Sequence, residues 1–166
     1  MFKIKLIPHK DILESELNEV ISLKSKQWSF GINEQKKWIE ENLKNTDLHV
    51  ILKENDIGVG YLNLIDINLY VNGIKVKGFG VGNVCAVEKG KGYGFKIFSE
   101  ANKIISELDR IGLLFCKKPL VKYYKNLNWI ELSDDQFKMN TEDVHTLVFN
   151  INVTHNLKID YDGVLF

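Results

Sequence analysis

The run Val84-Cys85-Ala86-Val87-Glu88-Lys89-Gly90-Lys91-Gly92-Tyr93-Gly94-Phe95 constrains the fold more than any other stretch. An apolar strand ends, three glycines alternate with other residues, and an amphipathic helix begins. Phe95, Phe98, Ala101, Ile105 and Leu108 mark the predicted buried side of that helix. Ile111 to Cys116 is short and wholly apolar, which predicts a strand covered on both faces. Strand, helix and strand in this order require a parallel crossover, centred on residues 84 to 116.

The rest of the chain is built around that crossover. Phe2 to Ile7 alternates apolar and polar residues and reads as a strand. Asp11 is the expected cap of a helix carrying Ile12, Leu13, Leu17, Val20, Ile21 and Leu23, and Asn33 that of a second helix through Trp38, Ile39 and Leu43. Strands follow at Leu48 to Lys53, at Gly58 to Ile67 after a turn at Glu54-Asn55-Asp56, and at Ile74 to Val87 after the hairpin signal Asn72-Gly73. Pro119 opens a helix through Tyr124, and Trp129 to Leu132 and His145 to Val153 close the chain as strands. The expected fold is a mixed α/β sheet of six or seven strands flanked by about four helices, in one domain over residues 1–166.

The glycine cluster also has a chemical meaning. Glycine lets backbone amides approach a ligand closely and permits positive φ. A helix amino terminus adds free N–H donors and partial positive charge. Lys89 and Lys91 add full charges, so the segment forms an anion cradle suited to a pyrophosphate. A Walker loop is excluded, because Gly90-Lys91 is followed by Gly92 and the upstream glycine position is Cys85. A dinucleotide site fits poorly, since the run is GxGxG and the next strand ends at Cys116 without an acid. A turn that merely packs helix against strand leaves the lysines unexplained.

On these residues the chain resembles the GNAT superfamily of N-acetyltransferases, whose signature is Arg or Gln followed by Gly-x-Gly-x-Gly/Ala between a central strand and a long helix. Lys89 to Gly94 matches it with Lys for Arg. A second signature, a strand and a short helix with Phe-Tyr-x-x-x-Gly-Phe, is similar to Leu113-Leu114-Phe115-Cys116 followed by Tyr123-Tyr124-Lys125-Asn126-Leu127-Asn128-Trp129. Lys117 stands where the superfamily usually has Asn, and the link between strand and glycines is contracted. The resemblance implies a coenzyme A or acetyl-CoA site at Cys85, Ala86, Val87, Lys89, Gly90, Lys91, Gly92, Tyr93, Gly94, Phe95, Lys117 and Tyr124. It implies that a backbone N–H near Val87 polarises the thioester carbonyl and that Tyr124 protonates the leaving thiolate. His145 beside Asp143 and His49 have the chemistry of a base. Cys85 has no visible activating partner as a nucleophile.

Charge suggests the acceptor. From Lys89 to Lys125 nine basic residues face three acids, while from Glu131 onward seven acids face two lysines. The detail resembles the aminoglycoside 2'-N-acetyltransferase branch, in which acids and the carboxyl terminus contact a polycationic sugar. Asp160, Asp162 and Phe166 are the matching tail, and Trp28, Phe30 and Asn83 complete the expected acceptor site. The expected partner is a small-molecule amine, by direct transfer. A silent acyl-CoA sensor and a peptide or protein N-acetyltransferase are the alternatives. The formal net charge of zero argues against broad attraction to nucleic acid or membranes. No 18-residue apolar run exists, Cys85 and Cys116 lie in apolar runs, and the four His and two Cys lack metal-ligand spacing. A reduced, cytoplasmic, metal-free protein is expected, and a homodimer is permitted by an open sheet edge.

Overall fold

Alternation in the first residues and two apolar runs further on lay down the first sheet strands of the computed structural model, which describes residues 1–139 and 142–166. Strand β1 (Phe2–Pro8) pairs antiparallel with β2 (Leu48–Glu54), from Phe2 opposite Glu54 to Pro8 opposite Leu48. Strand β2 in turn pairs antiparallel with β3 (Ile57–Val71), with a register shift at Leu52/Lys53. Asn55 and Asp56 take φ of 50° and 66°, the left-handed pair that a tight hairpin demands. Asn72 and Gly73, at 49° and 82°, do the same between β3 and β4 (Ile74–Ala86). Strand order along the sheet is β1-β2-β3-β4, then β5 (Ile111–Lys117), β7 (Val144–Phe149) and β6 (Ile130–Glu131), with β8 (Ile159–Asp160) on β3.

Contacts divide the chain into two compact units. The first comprises residues 1–65 and 82–101. It contains β1, helix α1 (Glu14–Gln27), helix α2 (Ile32–Asn42), β2, and parts of β3, β4 and helix α3 (Tyr93–Glu107). Val20, Ile21, Leu23 and Ile39 form the buried stripes of α1 and α2. Both expected caps are corrected. Asp11 ends a 3-10 turn (His9–Asp11), and α1 starts after Leu13, whose N–H donates to Glu16 Oε2 at 2.9 Å. Helix α2 starts after Gly31, whose carbonyl accepts from Gln35 N at 3.0 Å, so Asn33 lies inside the first turn. Gln35 Nε2 also donates to Ser25 Oγ and to the Trp28 carbonyl, tying the second helix to the first.

The second unit comprises residues 66–81 and 102–166. It holds the remainder of β3, β4 and α3, then β5 (Ile111–Lys117), α4 (Lys118–Lys125), β6 (Ile130–Glu131), β7 (Val144–Phe149) and β8 (Ile159–Asp160). Strands β4 and β5 run parallel as the crossover requires, and β5 pairs antiparallel with β7 from Gly112 opposite Phe149 to Lys117 opposite Val144. The sheet has eight strands, because the two-residue β8 pairs with β3 at Tyr70 and Val71. The two late strands are shorter than expected. Trp129 leaves β6 to lie buried on Gly112, where an added Cβ would sit 2.6 Å from the indole. Its Nε1 donates to Asn102 Oδ1 at 2.9 Å, and Asn102 Nδ2 donates to the Leu127 carbonyl. Strand β7 stops at Phe149, because Asn150 turns left-handed (φ 60°) and its Nδ2 donates to the Arg110 carbonyl. Among the described residues no helix is long and apolar enough to cross a membrane.

Candidate functional site

The glycine loop lies in the first unit. Strand β4 runs on through Asn83, which holds φ at 53° within the strand, a conformation that costs about 1 kcal/mol or more. Two turns of chain beyond it, Gly90 and Gly92 take φ of 82° and 75° with nothing within 4 Å of an added Cβ. Glycine is required there by backbone conformation, not by crowding, and the space over the loop is open. The Gly92 carbonyl accepts the first helical bond, from Lys96 N at 3.0 Å, so the amides of Gly92, Tyr93, Gly94 and Phe95 precede the helix's own ladder. Lys89 and Lys91 are exposed, and the 3.8 Å pair of Lys91 with Glu88 is too loose and wet to neutralise it. Tyr93 contributes its backbone; its hydroxyl is committed to Glu54 Oε2 at 2.7 Å, which raises its pKa and ties the start of α3 to the end of β2. Phe95, expected on the buried side of the helix, is 52% exposed. It overhangs the first turn and lines a groove of about 390 Å³ with Phe2 and Lys96, whose Nζ lies 4.4 Å from the Phe2 ring centre.

The segment leading into the loop narrows the choice of N–H near Val87. The N–H of Val87 donates to the Val59 carbonyl at 3.0 Å and is not available to a thioester. Adjacent amides of a strand point to opposite sides, so the N–H of Ala86 faces the other way. Cys85 is buried, and burial pushes its thiol up to about 12, with Lys24 opposing, so it is not a thiolate nucleophile. Lys24 is itself buried, with its ammonium 4.4 Å from the Trp38 ring centre and its pKa lowered by desolvation. Trp28 is half-buried where α1 ends, and Phe30 is 62% exposed in the loop between the helices. His49 is structural. Fully buried, its ring bonds to His9 Nδ1 at 3.0 Å and to Tyr61 OH at 2.8 Å, and burial lowers its pKa to about 4.

The second unit holds the other candidates. The parallel ladder between β4 and β5 ends at Gly80 opposite Leu113, although β5 runs on to Lys117. Helix α4 follows at once, with Pro119 in its first turn and the exposed Lys117 as its N-cap. Tyr124 on α4 is 8% exposed, and burial, with smaller effects from Cys116 and Tyr123, pushes its pKa well above the ordinary tyrosine value. It therefore stays protonated across the working pH range. Asp160 and Asp162 are exposed and line a cavity of about 260 Å³ with Tyr70, Phe137 and Lys138. Phe166 packs on Gly80 and lies 5.1 Å from Phe115, so its ring belongs to an aromatic cluster with Tyr161. His145 finds its partner in Glu131, with Nδ1 2.8 Å from Oε1, and not in the neighbouring Asp143. Lys125 holds the same carboxylate at 2.6 Å, and that contact is the main cause of its lowered pKa. Glu131 went unread in the sequence because its position depends on the pairing of β6 with β7. Among the described residues no His, Cys, Asp and Glu group could hold a metal ion.

This architecture is shared with known structures. An acyl-CoA N-acyltransferase from Pseudomonas aeruginosa is similar over 89% of this chain and 99% of its own, with a TM-score of 0.65 and 15% identity. Escherichia coli ElaA is similar over 90% of this chain and 100% of its own, with a TM-score of 0.64 and 15% identity. An acetyltransferase from Streptococcus agalactiae is similar over 89% and 96%, with a TM-score of 0.62 and 17% identity. No protein-family model and no curated protein sequence matches the chain. The chain thus has the GNAT-type acyl-CoA N-acyltransferase fold, as its two sequence signatures led one to expect.

Proposed function

We propose that this chain is an acetyl-CoA-dependent N-acetyltransferase that acylates a primary amine of a small cationic molecule by direct transfer in a ternary complex. One observation carries the reading: two glycines forced into positive φ bare the first amides of α3 just after two exposed lysines. That cradle fits a diphosphate. The thioester of the bound cofactor supplies an activated acyl group. Lys89, Lys91 and the amides from Gly92 to Phe95 hold the pyrophosphate, and the Ala86 N–H, next to Val87, polarises the thioester carbonyl. Tyr124, kept protonated by burial, gives its proton to the departing thiolate. Cys85, protonated and buried, takes no acyl group. Asp160 and Asp162 favour a cationic acceptor such as an amino sugar or polyamine, in keeping with the resemblance to the aminoglycoside-modifying branch. Trp28 and Phe30 offer rings to stack on it.

The test is thiol release from acetyl-CoA against a panel of amines. Polyamines and amino sugars should be preferred over neutral and acidic amines. Tyr124→Phe should lower kcat by about 10²-fold while acetyl-CoA affinity is kept. Unchanged turnover in that variant removes Tyr124 from the mechanism, and coenzyme A binding without release of thiol to any amine would favour a silent sensor.

A further inference from the structure

Strand β1 ends the sheet, and among the described residues no strand lies on its outer side. The parity of its hydrogen bonds is fixed at both ends. Asn55 N donates to the Met1 carbonyl at 3.1 Å, and His9 N donates to the Asp47 carbonyl at 2.8 Å. Hydrogen-bonded pairs recur every second residue in an antiparallel ladder, so Lys3, Lys5 and Ile7 spend their amides and carbonyls on β2. Phe2, Ile4 and Leu6 turn theirs outward, and Pro8, on the same register, has no N–H to offer. The side chains of Phe2, Ile4 and Leu6 share one face of the strand. Phe2 and Leu6 are 41% and 42% exposed. With Leu52 and with Phe95 and Lys96 of α3, Phe2 and Ile4 line the groove of about 390 Å³. All of these residues belong to the first unit. Lysine and proline in an edge strand commonly guard it against pairing. By alternation Lys3 and Lys5 belong to the opposite face, where Lys3 Nζ lies 3.1 Å from Asp56 Oδ1 and Lys5 pairs with Glu16. Each lysine is thus matched by a carboxylate of its own chain.

We infer that β1 pairs with β1 of a second copy of this chain, antiparallel about a two-fold axis through Ile4, so that one sheet runs across a homodimer. The free groups select this register. Only outward residues can face one another in hydrogen-bonded pairs, which excludes an axis at Lys3 or Lys5. An axis at Leu6 sets Ile4 against Pro8 and its missing N–H, and an axis at Phe2 leaves Ile4 and Leu6 without partners. An axis at Ile4 places Ile4 opposite itself and Phe2 opposite Leu6, so every outward N–H from Phe2 to Leu6 finds a carbonyl. Pro8 falls beyond the end of the ladder. The axis stands normal to the sheet and keeps both sets of side chains on one face, so Ile4 and Leu6 of the second copy close the open side of the groove and cover Phe2. Lys3 faces Lys5 of the second copy, and because Asp56 and Glu16 accompany them the facing groups are neutral together. The other end of the sheet, β6, is two residues long and cannot template such a ladder.

Sedimentation of the full chain should give a mass twice 19.2 kDa that falls on dilution. Ile4→Pro removes only an outward N–H, which an edge strand tolerates, and should weaken association about tenfold or more, since symmetry counts each loss twice. Leu6→Lys, at an exposed position, should do the same by setting a charge against Phe2 of the second copy, and it decides the matter should Ile4→Pro fail to fold. Oxidation reads the register. Lys3→Cys combined with Lys5→Cys should cross-link the two copies, because a non-hydrogen-bonded pair sets Cα atoms about 4.5 Å apart, within disulfide reach. Either cysteine alone should leave the copies unlinked, and the buried Cys85 and Cys116 do not compete. A wild type that is monomeric at every concentration overturns the dimer, as does association unchanged in a folded Ile4→Pro or Leu6→Lys protein. A dimer that the paired cysteines fail to link overturns the axis at Ile4.

Discussion

Burial sets opposite protonation limits on several side chains here. It keeps Tyr124, Cys85 and Cys116 protonated and keeps His49 neutral. For His49 the consequence is a pH-dependent stability. Its folded pKa of about 4 lies below the ordinary value of 6.5, so between those pH values the unfolded chain binds the extra proton. The stabilisation is whole above pH 6.5 and is lost as pH falls toward 4, a difference of roughly 3 kcal/mol. Thermal unfolding followed from pH 7 to 4 should show a declining midpoint, and His49→Gln should flatten that slope. The histidine's identity was visible in the sequence, but its role was not. Only pairing β1 with β2 puts His9 on one ring nitrogen, and only pairing β2 with β3 puts Tyr61 near the other.

Elements with a strong local signal were legible, and those made by distant partners were not. The crossover, the Asn72-Gly73 hairpin and the glycine loop follow from apolar runs and from positive φ, which neighbouring residues alone dictate. The caps at Asp11 and Asn33 were misread because Glu16 and Gly31 supply starts that the residue type did not advertise. Strands β6 and β8 are two residues each, too short to show a period. Glycines divide in the same way. Gly90→Ala meets open space but must hold a left-handed φ, so it should cost about 1 kcal/mol and weaken coenzyme A binding. Gly112→Ala drives a methyl into the Trp129 indole, so it should cost about 1–3 kcal/mol and leave the loop's own binding intact. Denaturation midpoints and coenzyme A titrations on the two variants separate the effects.

At the scale of the molecule, net neutrality conceals a basic stretch around the cradle and an acidic last quarter. A ligand gripped by the cradle should stabilise the fold by mass action. Coenzyme A at one hundred times its Kd should add about 2.7 kcal/mol. For a chain of this size that raises Tm by roughly 5–10 °C, which a melting curve can read. A melting temperature indifferent to coenzyme A would speak against the cradle.

The division into two units has a consequence for how the chain reaches its folded state. Each unit is assembled from two separated stretches, 1–65 with 82–101 and 66–81 with 102–166. Strands β3 and β4 and helix α3 each pass from one unit into the other. Neither unit is therefore complete in any contiguous fragment, and truncation at a boundary would leave a sheet lacking a strand segment. During synthesis the first 65 residues must wait for Gly82–Ala101 to emerge before their unit can close.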